Sequence, residues 1–414
     1  MTNTTYKTNI KILSIDTSCD ETSAAITKGL TILSNVVWSQ SKVHSKYGGV
    51  VPSKARREHE RKIFWVVKRA VNTAKIAYQN LDAISVTVGP GLAIALEVGI
   101  NFAKSLAEKY KKPLIAINHL EGHLLSALAE IKNQKSKIPP GQRPSWVGDK
   151  NQNYNSKSKN ILNTKIAFQS HASYNSQPPA TNYQLPTFPA FGVVVSGGNT
   201  LLVLIEKIGK YEVLAQTIDD ALGESLDKSA RLLGLGYPGG AVLEKFAKLG
   251  NPKTYPLPTP MLGRESEGRY SYSGLKTAFY RIVENLRGQN VLSKTQICNL
   301  AASYQHMAFE HFIRVTRKVL ANNLQPTLRT RGSSEPVATY NLLVGGGVAA
   351  NVELRKRIRK MCKELSIIPL FPYTKKLYGD NAAIIGVAAH FKYLKKDFID
   401  PEKIDRLPNL KIDE

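Results

Sequence analysis

Apolar and polar positions alternate along Ile10-Lys11-Ile12-Leu13-Ser14-Ile15 and again from Thr22 to Thr27, with a tight polar turn between them. Period-two alternation of this kind predicts two short strands joined as a hairpin. Arg57 to Tyr78 then carries its apolar residues at helical spacing. Leu81 to Val88 reads as a third strand, stopped by Gly89-Pro90-Gly91, and a second helix is expected from about Leu96 to Tyr110. Pro113 to Ile117 is a strand that runs directly into a helical stretch starting at His119 and continuing through Ala129. Strands alternating with helices imply a largely parallel sheet, with sites at the carboxyl ends of its strands.

The pattern then stops. Between residues 133 and 187 Asn, Gln, Ser, Pro and Lys dominate and Asp149 is the only acidic residue. Such a stretch buries too little apolar surface to offset the entropy of ordering it, so a flexible, basic surface insertion is expected. From Phe188 the alternation resumes. Phe191 to Val195 is a buried-strand signal, broken at Ser196-Gly197-Gly198-Asn199-Thr200 and followed by a strand from Leu201 to Ile205. This second strand, polar turn and strand repeats the first, as a duplicated actin-like or sugar-kinase-like ATPase fold would. A third turn, Leu342 to Asn351, reads as strand, glycines, then helix. Its glycines permit close backbone approach, and the helix start offers N–H groups to an anion. No Gly-x-x-x-x-Gly-Lys-Ser/Thr is present, so the chain is not a P-loop protein. The polar stretch from Lys395 onward is expected to be peripheral.

The α/β class therefore takes the form of two lobes with a duplicated core and a polar insertion. The expected division is 8–131 for the first lobe, 132–187 for the insertion, 188–380 for the second lobe and 381–414 for a terminal helix and polar tail. A chain of 414 residues is long enough for two cores of ordinary size. No run of eighteen apolar residues exists and the first seven residues lack a signal-peptide core, so a cytoplasmic protein with no membrane span is expected. Cys19, Cys298 and Cys362 have no pair spacing, which argues against a disulfide framework. Fifty-seven Lys and Arg against thirty-two acidic residues give a formal charge of +25, spread along the whole chain. That excess points to a polyanionic partner, with nucleic acid the natural candidate.

The sharpest chemical signal is Asn118-His119-Leu120-Glu121-Gly122-His123. Residues at i and i+4 share one helix face, so the two imidazoles can grip one metal ion and leave part of its coordination open. Taken alone, the spacing also suits two polar surface histidines. Zinc peptidases carry His-Glu-x-x-His, with the Glu as general base. Here Glu121 falls two positions after His119, about 200° round the helix, and reads as the third residue of a capping box on Asn118. Peptidase chemistry is thereby disfavoured. His306 and His311, five apart, fall on different faces, and His171 lies in the insertion. His44 and His59 read as structural or RNA-adjacent.

Together these stretches resemble the tRNA threonylcarbamoyladenosine synthase family, in its bacterial branch. The matching runs are Ile15 to Ser23, Tyr47 to Pro52, Gly89 to Leu92, Asn118 to His123 and Val195 to Gly198. They continue with Asp219 to Lys228, Gly236 to Gly240, Ser273 to Thr277, Gly346 to Asn351 and Gly379 to Ala383. Two departures occur: Asn199 stands where the bacterial form usually has His, and Ala382 where a second Gly is more common.

The resemblance implies transfer of a threonylcarbamoyl group from threonylcarbamoyl-AMP to N6 of adenosine 37 in tRNAs that read codons starting with A. It implies His119, His123 and Asp380 as ligands of one divalent metal, most often Fe2+, with Zn2+ an alternative. Substrate contacts would be Val194, Val195, Ser196, Gly197, Gly198, Asp227, Gly240 and Asn351. Asp227 suits ribose hydroxyls and Asn351 an adenine or ribose edge. Asp20 is a candidate acceptor for the N6 proton, and equally a turn-stabilising carboxylate. The implied partners are tRNA, a paralogous inactive subunit docking on the first lobe, and a small P-loop ATPase. Two rival readings remain at this point. A small-molecule kinase needs no paired-His metal site, and a non-catalytic scaffold needs no intact ligands.

Overall fold

The computed structural model describes residues 9–131, 186–324 and 340–414. The expected insertion, with His171, lies outside the described residues. The first half comprises β1 (Lys11–Asp16), β2 (Glu21–Lys28), β3 (Thr31–Ser39), a short α1 (Ser41–His44), α2 (Pro52–Ala74), β4 (Ala83–Gly89), α3 (Ala93–Tyr110), β5 (Leu114–Asn118), α4 (His119–Leu125) and β6 (Glu130–Ile131). The second comprises β7 (Ala190–Val195), β8 (Thr200–Lys207), β9 (Lys210–Thr217), α5 (Leu222–Leu232), α6 (Gly240–Ala247), β10 (Arg269–Tyr270), α7 (Ser273–Gln289), α8 (Lys294–Asn323), β11 (Asn341–Gly345), α9 (Val352–Glu364), β12 (Ile368–Leu370) and α10 (Ala382–Leu394).

Two sheets share one design. The first runs β5-β4-β1-β2-β3-β6 and the second β12-β11-β7-β8-β9-β10. In each, three antiparallel strands are followed by two that lie parallel to the first of them. This duplicated order is the two-lobed actin-like ATPase fold that the pair of hairpins predicts. The register of β1 on β2, with Ile15 opposite Ala24 and Asp16 opposite Ser23, places the turn Thr17–Asp20 at the carboxyl end of the sheet. The turn Ser196–Asn199 occupies the same place between β7 and β8. Parallel strands buried on both faces read as near-continuous apolar runs, with any polar side chain needing a buried partner, as Ser85 finds in Ser14. Strand β4 is buried throughout, as is β7.

Ile63, Val66 and Val67 of α2 and Leu96, Ile100 and Ala103 of α3 join the first sheet in one core. Helix α10 comes from the far end of the chain yet packs on β1 and β2 of this first sheet and on α4. Its Ala382-Ala383-Ile384-Ile385 run is wholly buried, so hydrophobic burial drives the return. Gly122 makes the close approach possible: a Cβ there would lie 2.8 Å from Ile385 Cδ1. Helix α2 begins at Pro52, five residues before the periodicity suggested, because proline fits the first turn of a helix. Helix α4 ends at Leu125, short of the expected Ala129, and closes through a 3-10 turn over Ser126–Leu128.

Candidate functional site

Asn118 opens α4 by accepting the Leu120 N–H at 2.9 Å, the cap that its sequence position predicts. Glu121 does not complete a capping box. Its buried carboxylate accepts a hydrogen bond from the Tyr211 hydroxyl at 2.6 Å, because a side chain pointing into the core meets β9 before it can turn back to the helix start. His119 and His123 lie on the other face, with ring centroids 4.6 Å apart. Asp380 precedes α10, and the packing of α10 on α4 delivers it to both rings. His123 Nε2 lies 3.1 Å and His119 Nε2 3.4 Å from Asp380 Oδ1. Among the described residues, these three side chains form the group that could hold a metal, with ligand atoms within 4.8 Å of one another.

The donor set fits a cation. Ligand atoms about 2.1 Å from a common ion sit roughly 3.0–3.4 Å from each other in octahedral or tetrahedral arrangement, which matches both spacings to Asp380. The surroundings are electronegative: Asp16 is wholly buried, one of its oxygens has no hydrogen-bond partner, and its other oxygen lies 3.8 Å from His119 Nδ1. Burial opposes charge on His119, but Asp380 and Asp16 overcome it and raise the imidazole to about 9. Burial likewise opposes charge on Asp380, yet the facing imidazoles hold its carboxyl well below the usual carboxylate range. Burial lowers His123. Glu21 is pushed up by burial and by Asp20 and Asp380. Burial and Asp20 also raise the Cys19 thiol, which suits a small neutral side chain and not a nucleophile.

A cleft of about 880 Å³ leads away from the group, lined by His119 and Asp380, by Asp20, and by Ser196, Gly197 and Gly198. Ser196 closes the turn, its N–H donating to the Asn199 carbonyl at 2.8 Å and its hydroxyl accepting from the Asn199 N–H at 3.1 Å. Beside Gly197 and Gly198 a Cβ would meet open space. Val194 and Val195 are buried in β7 and are not among the residues that line the cleft. Asp227 borders both this cleft and an adjoining cavity of about 250 Å³ that Gly240 and Asn351 also line. Asp227 Oδ1 accepts the Gly240 N–H at 2.6 Å, and burial pushes its carboxyl up. Asn351 also has structural duties. Its Oδ1 caps α9 through Glu353 and Leu354, and its Nδ2 donates to Gln305 at 2.9 Å.

Comparison with known proteins fits this geometry. The family model described as TsaD, tRNA N6-adenosine threonylcarbamoyltransferase, matches residues 31–169 and 166–387. Curated relatives of that description include one from Clostridium novyi, 35% identical over 98% of this chain and 99% of its own length. Another, from Moorella thermoacetica, is 37% identical over 97% of each chain. The chain belongs to the tRNA N6-adenosine threonylcarbamoyltransferase family. It is thus a transferase that acts on tRNA. A solved structure of HypF from T. kodakarensis shares the fold at TM-score 0.50 and 15% identity, over 97% of this chain and 49% of that one.

In this threonylcarbamoyltransferase family member the tail from Lys395 is not peripheral. Pro408 to Asp413 line the cleft. Leu407 N–H donates to Val88 at 2.7 Å, Gly91 N–H to Pro408 at 3.1 Å, and Asn118 Nδ2 to the Lys411 carbonyl at 2.7 Å. Its polarity conceals this role, because backbone groups make the contacts. The other unexpected feature is a buried polar chain. The Val51 N–H donates to His44 Nδ1 at 3.3 Å, and His44 Nε2 pairs with Gln40 Oε1 at 3.0 Å. Gln40 Nε2 reaches His59 Nδ1 at 3.3 Å, and His59 Nε2 the Cys19 carbonyl at 3.1 Å. Both histidines are fully buried and serve the structural role expected of them. They fix the Tyr47–Pro52 segment, whose Gly48 carbonyl accepts from Arg231 of the second lobe at 2.8 Å, against the turn bearing Asp20. His306 pairs with Arg357 and His311 accepts the Ser271 N–H, which keeps both away from the metal group.

Proposed function

We propose that the chain moves a threonylcarbamoyl group from threonylcarbamoyl-AMP to N6 of adenosine 37, beside the anticodon, in tRNAs that read codons starting with A. What carries this reading is the meeting of His119, His123 and Asp380 on the cleft that Asp20 and Ser196–Gly198 also line, in a member of this family. The N6 lone pair attacks the carbamoyl carbonyl carbon, the bond from that carbon to the phosphate oxygen breaks, AMP leaves with the electron pair, and N6 loses a proton. His119, His123 and Asp380 would hold one divalent ion, ferrous iron in our reading and zinc as the alternative, which supplies Lewis acidity when bound.

The chain's own groups do the rest. The backbone of Gly197 and Gly198 faces the cleft without side chains in the way and can offer N–H groups to phosphate oxygens. The second oxygen of Asp227 serves ribose hydroxyls, while Gly240 and the backbone around Asn351 shape the adenylate cavity. Asp20, 8% exposed on the cleft wall, receives the N6 proton. The partners in this reading are tRNA, a paralogous inactive subunit and a small P-loop ATPase, in the cytoplasm. Phe64 and Trp65, exposed on α2, give the first lobe an apolar face for the paralogue. Among the described residues no helix is long and apolar enough to cross a membrane.

The test is threonylcarbamoyl incorporation into unmodified tRNA by the metal-loaded chain with its partners. His119→Ala should lose at least about 100-fold, since even groups one step removed from a metal cost 10- to 100-fold. Full activity in that variant would remove the basis of this reading.

A further inference from the structure

A second cavity, of about 540 Å³, adjoins the cleft and has no part in the chemistry above. Helix α5 lends it Lys228, Arg231 and Leu232, and α7 lends it Lys276, Thr277 and Tyr280. Lys228 and Arg231 also line the main cleft, so the two spaces are neighbours on either side of these α5 side chains. Leu232 and the Tyr280 ring form an apolar surface, and that ring is 52% exposed. The cations at its rim are held in place. Asp220 binds Lys228 at 2.5 Å and Lys276 at 2.6 Å, Glu224 binds Lys228 at 2.8 Å, and Arg231 is fixed on the Gly48 carbonyl. Three cations against two carboxylates leave one positive charge over an open aromatic face.

That combination matches a nucleotide in a single strand: an aromatic plane for the base and oriented cations for the phosphate. Adjacency to the cleft favours part of the acceptor over a free nucleotide. Once one base of an RNA strand enters the cleft, its neighbour must lie close beside it. Resting on the reading of the cleft given above, we propose that the α5–α7 cavity is a nucleobase subsite. It stacks the base next to the target adenosine on Tyr280, with Lys228, Arg231 and Lys276 facing the adjoining phosphates.

The experiment uses the full chain with its metal and partner subunits, and compares wild type with Tyr280→Ala and Tyr280→Phe. Affinity for a fluorescent anticodon stem-loop RNA is read by anisotropy, and turnover is read as threonylcarbamoyl incorporation. Loss of one base–aromatic stack should weaken RNA affinity and raise KM for RNA about 5- to 100-fold. kcat at saturating RNA should stay unchanged, and Tyr280→Phe should restore the wild-type value. An abasic residue beside the target adenosine should reproduce the loss in wild type, and Tyr280→Ala should add nothing to it. Unchanged RNA affinity in Tyr280→Ala, or losses that add, would overturn the subsite, as would loss of partner-subunit binding with RNA affinity intact. Absence of turnover in wild type counts against the reaction assigned to the cleft, while the anisotropy comparison still decides the subsite.

Discussion

Gly89→Ala isolates the contact by which the C-terminal tail closes the cleft. A Cβ at Gly89 would lie 2.7 Å from the Leu407 carbonyl carbon, with its oxygen closer still, and 3.3 Å from Leu410 Cβ. Either β4 or the tail must move. Strand β4 is fully buried and paired on both sides, with β1 and β5, so its displacement would break the centre of the first sheet. The tail is held by far less. Three hydrogen bonds, from Leu407, Gly91 and Asn118, contribute about 0.5–1.5 kcal/mol each. Burial of Ile412, 6% exposed, adds roughly 1.5–3 kcal/mol. These terms sum to about 3–7.5 kcal/mol, with a smaller share from the Arg406–Glu97 ion pair and the packing of Leu410, and the freed residues regain conformational entropy that lowers the net loss. The tail should yield. Hydrogen exchange at the Leu407 and Gly91 amides should accelerate at least tenfold and protease should cut beyond Ile404, while the Tm falls by only a few degrees. Unchanged protection at both amides would refute this account of what closes the cleft.

The other expectations concern the metal group and two sets of buried polar residues. Asp380→Asn should lower the stoichiometry of bound divalent metal after dialysis and cancel the rise in Tm that added metal gives wild type; equal metal content in both proteins would count against Asp380 as a ligand. His311 and His390, 0% and 2% exposed, are each pulled down to about 4 by burial. Their folded pKa lies below the unfolded value, so their stabilisation is complete above pH 6.5 and is lost as pH falls toward 4. About 3 kcal/mol each is at stake. Urea midpoints taken between pH 7.5 and 4.5 should drop accordingly, and a flat profile over that window would contradict it. Gln40→Leu strands His44 Nε2, while His59 Nδ1 keeps the Thr22 hydroxyl at 2.8 Å, so it should cost about 1–3 kcal/mol in denaturant unfolding; a change below about 0.5 kcal/mol would show that the polar chain is not needed.

The hydrophobic period along the chain was sufficient to determine both strand–turn–strand hairpins, and the positions of His119 and His123 fixed their one-turn spacing, whereas β3 and β9 and the order of strands in each sheet came from the structure. The hairpins and the spacing are local properties: they depend on which side chains lie within a few positions of each other. The two lobes follow, because a repeated local pattern must bury a repeated face. The family resemblance pointed to Asp380, but the distance of 257 positions to His123 could be closed only by packing. An apolar α10 finds its place on the first sheet, and a glycine at position 122 lets it come close enough. Tertiary structure alone also decided the partner of Glu121, the bond from Asn351 to Gln305, the link from Gln40 to His59, and the tail's return over β4. In each case a polar group meets its partner across a long loop or through the backbone. Neither leaves a periodic trace in the sequence, since backbone N–H and C=O groups are alike at nearly every position.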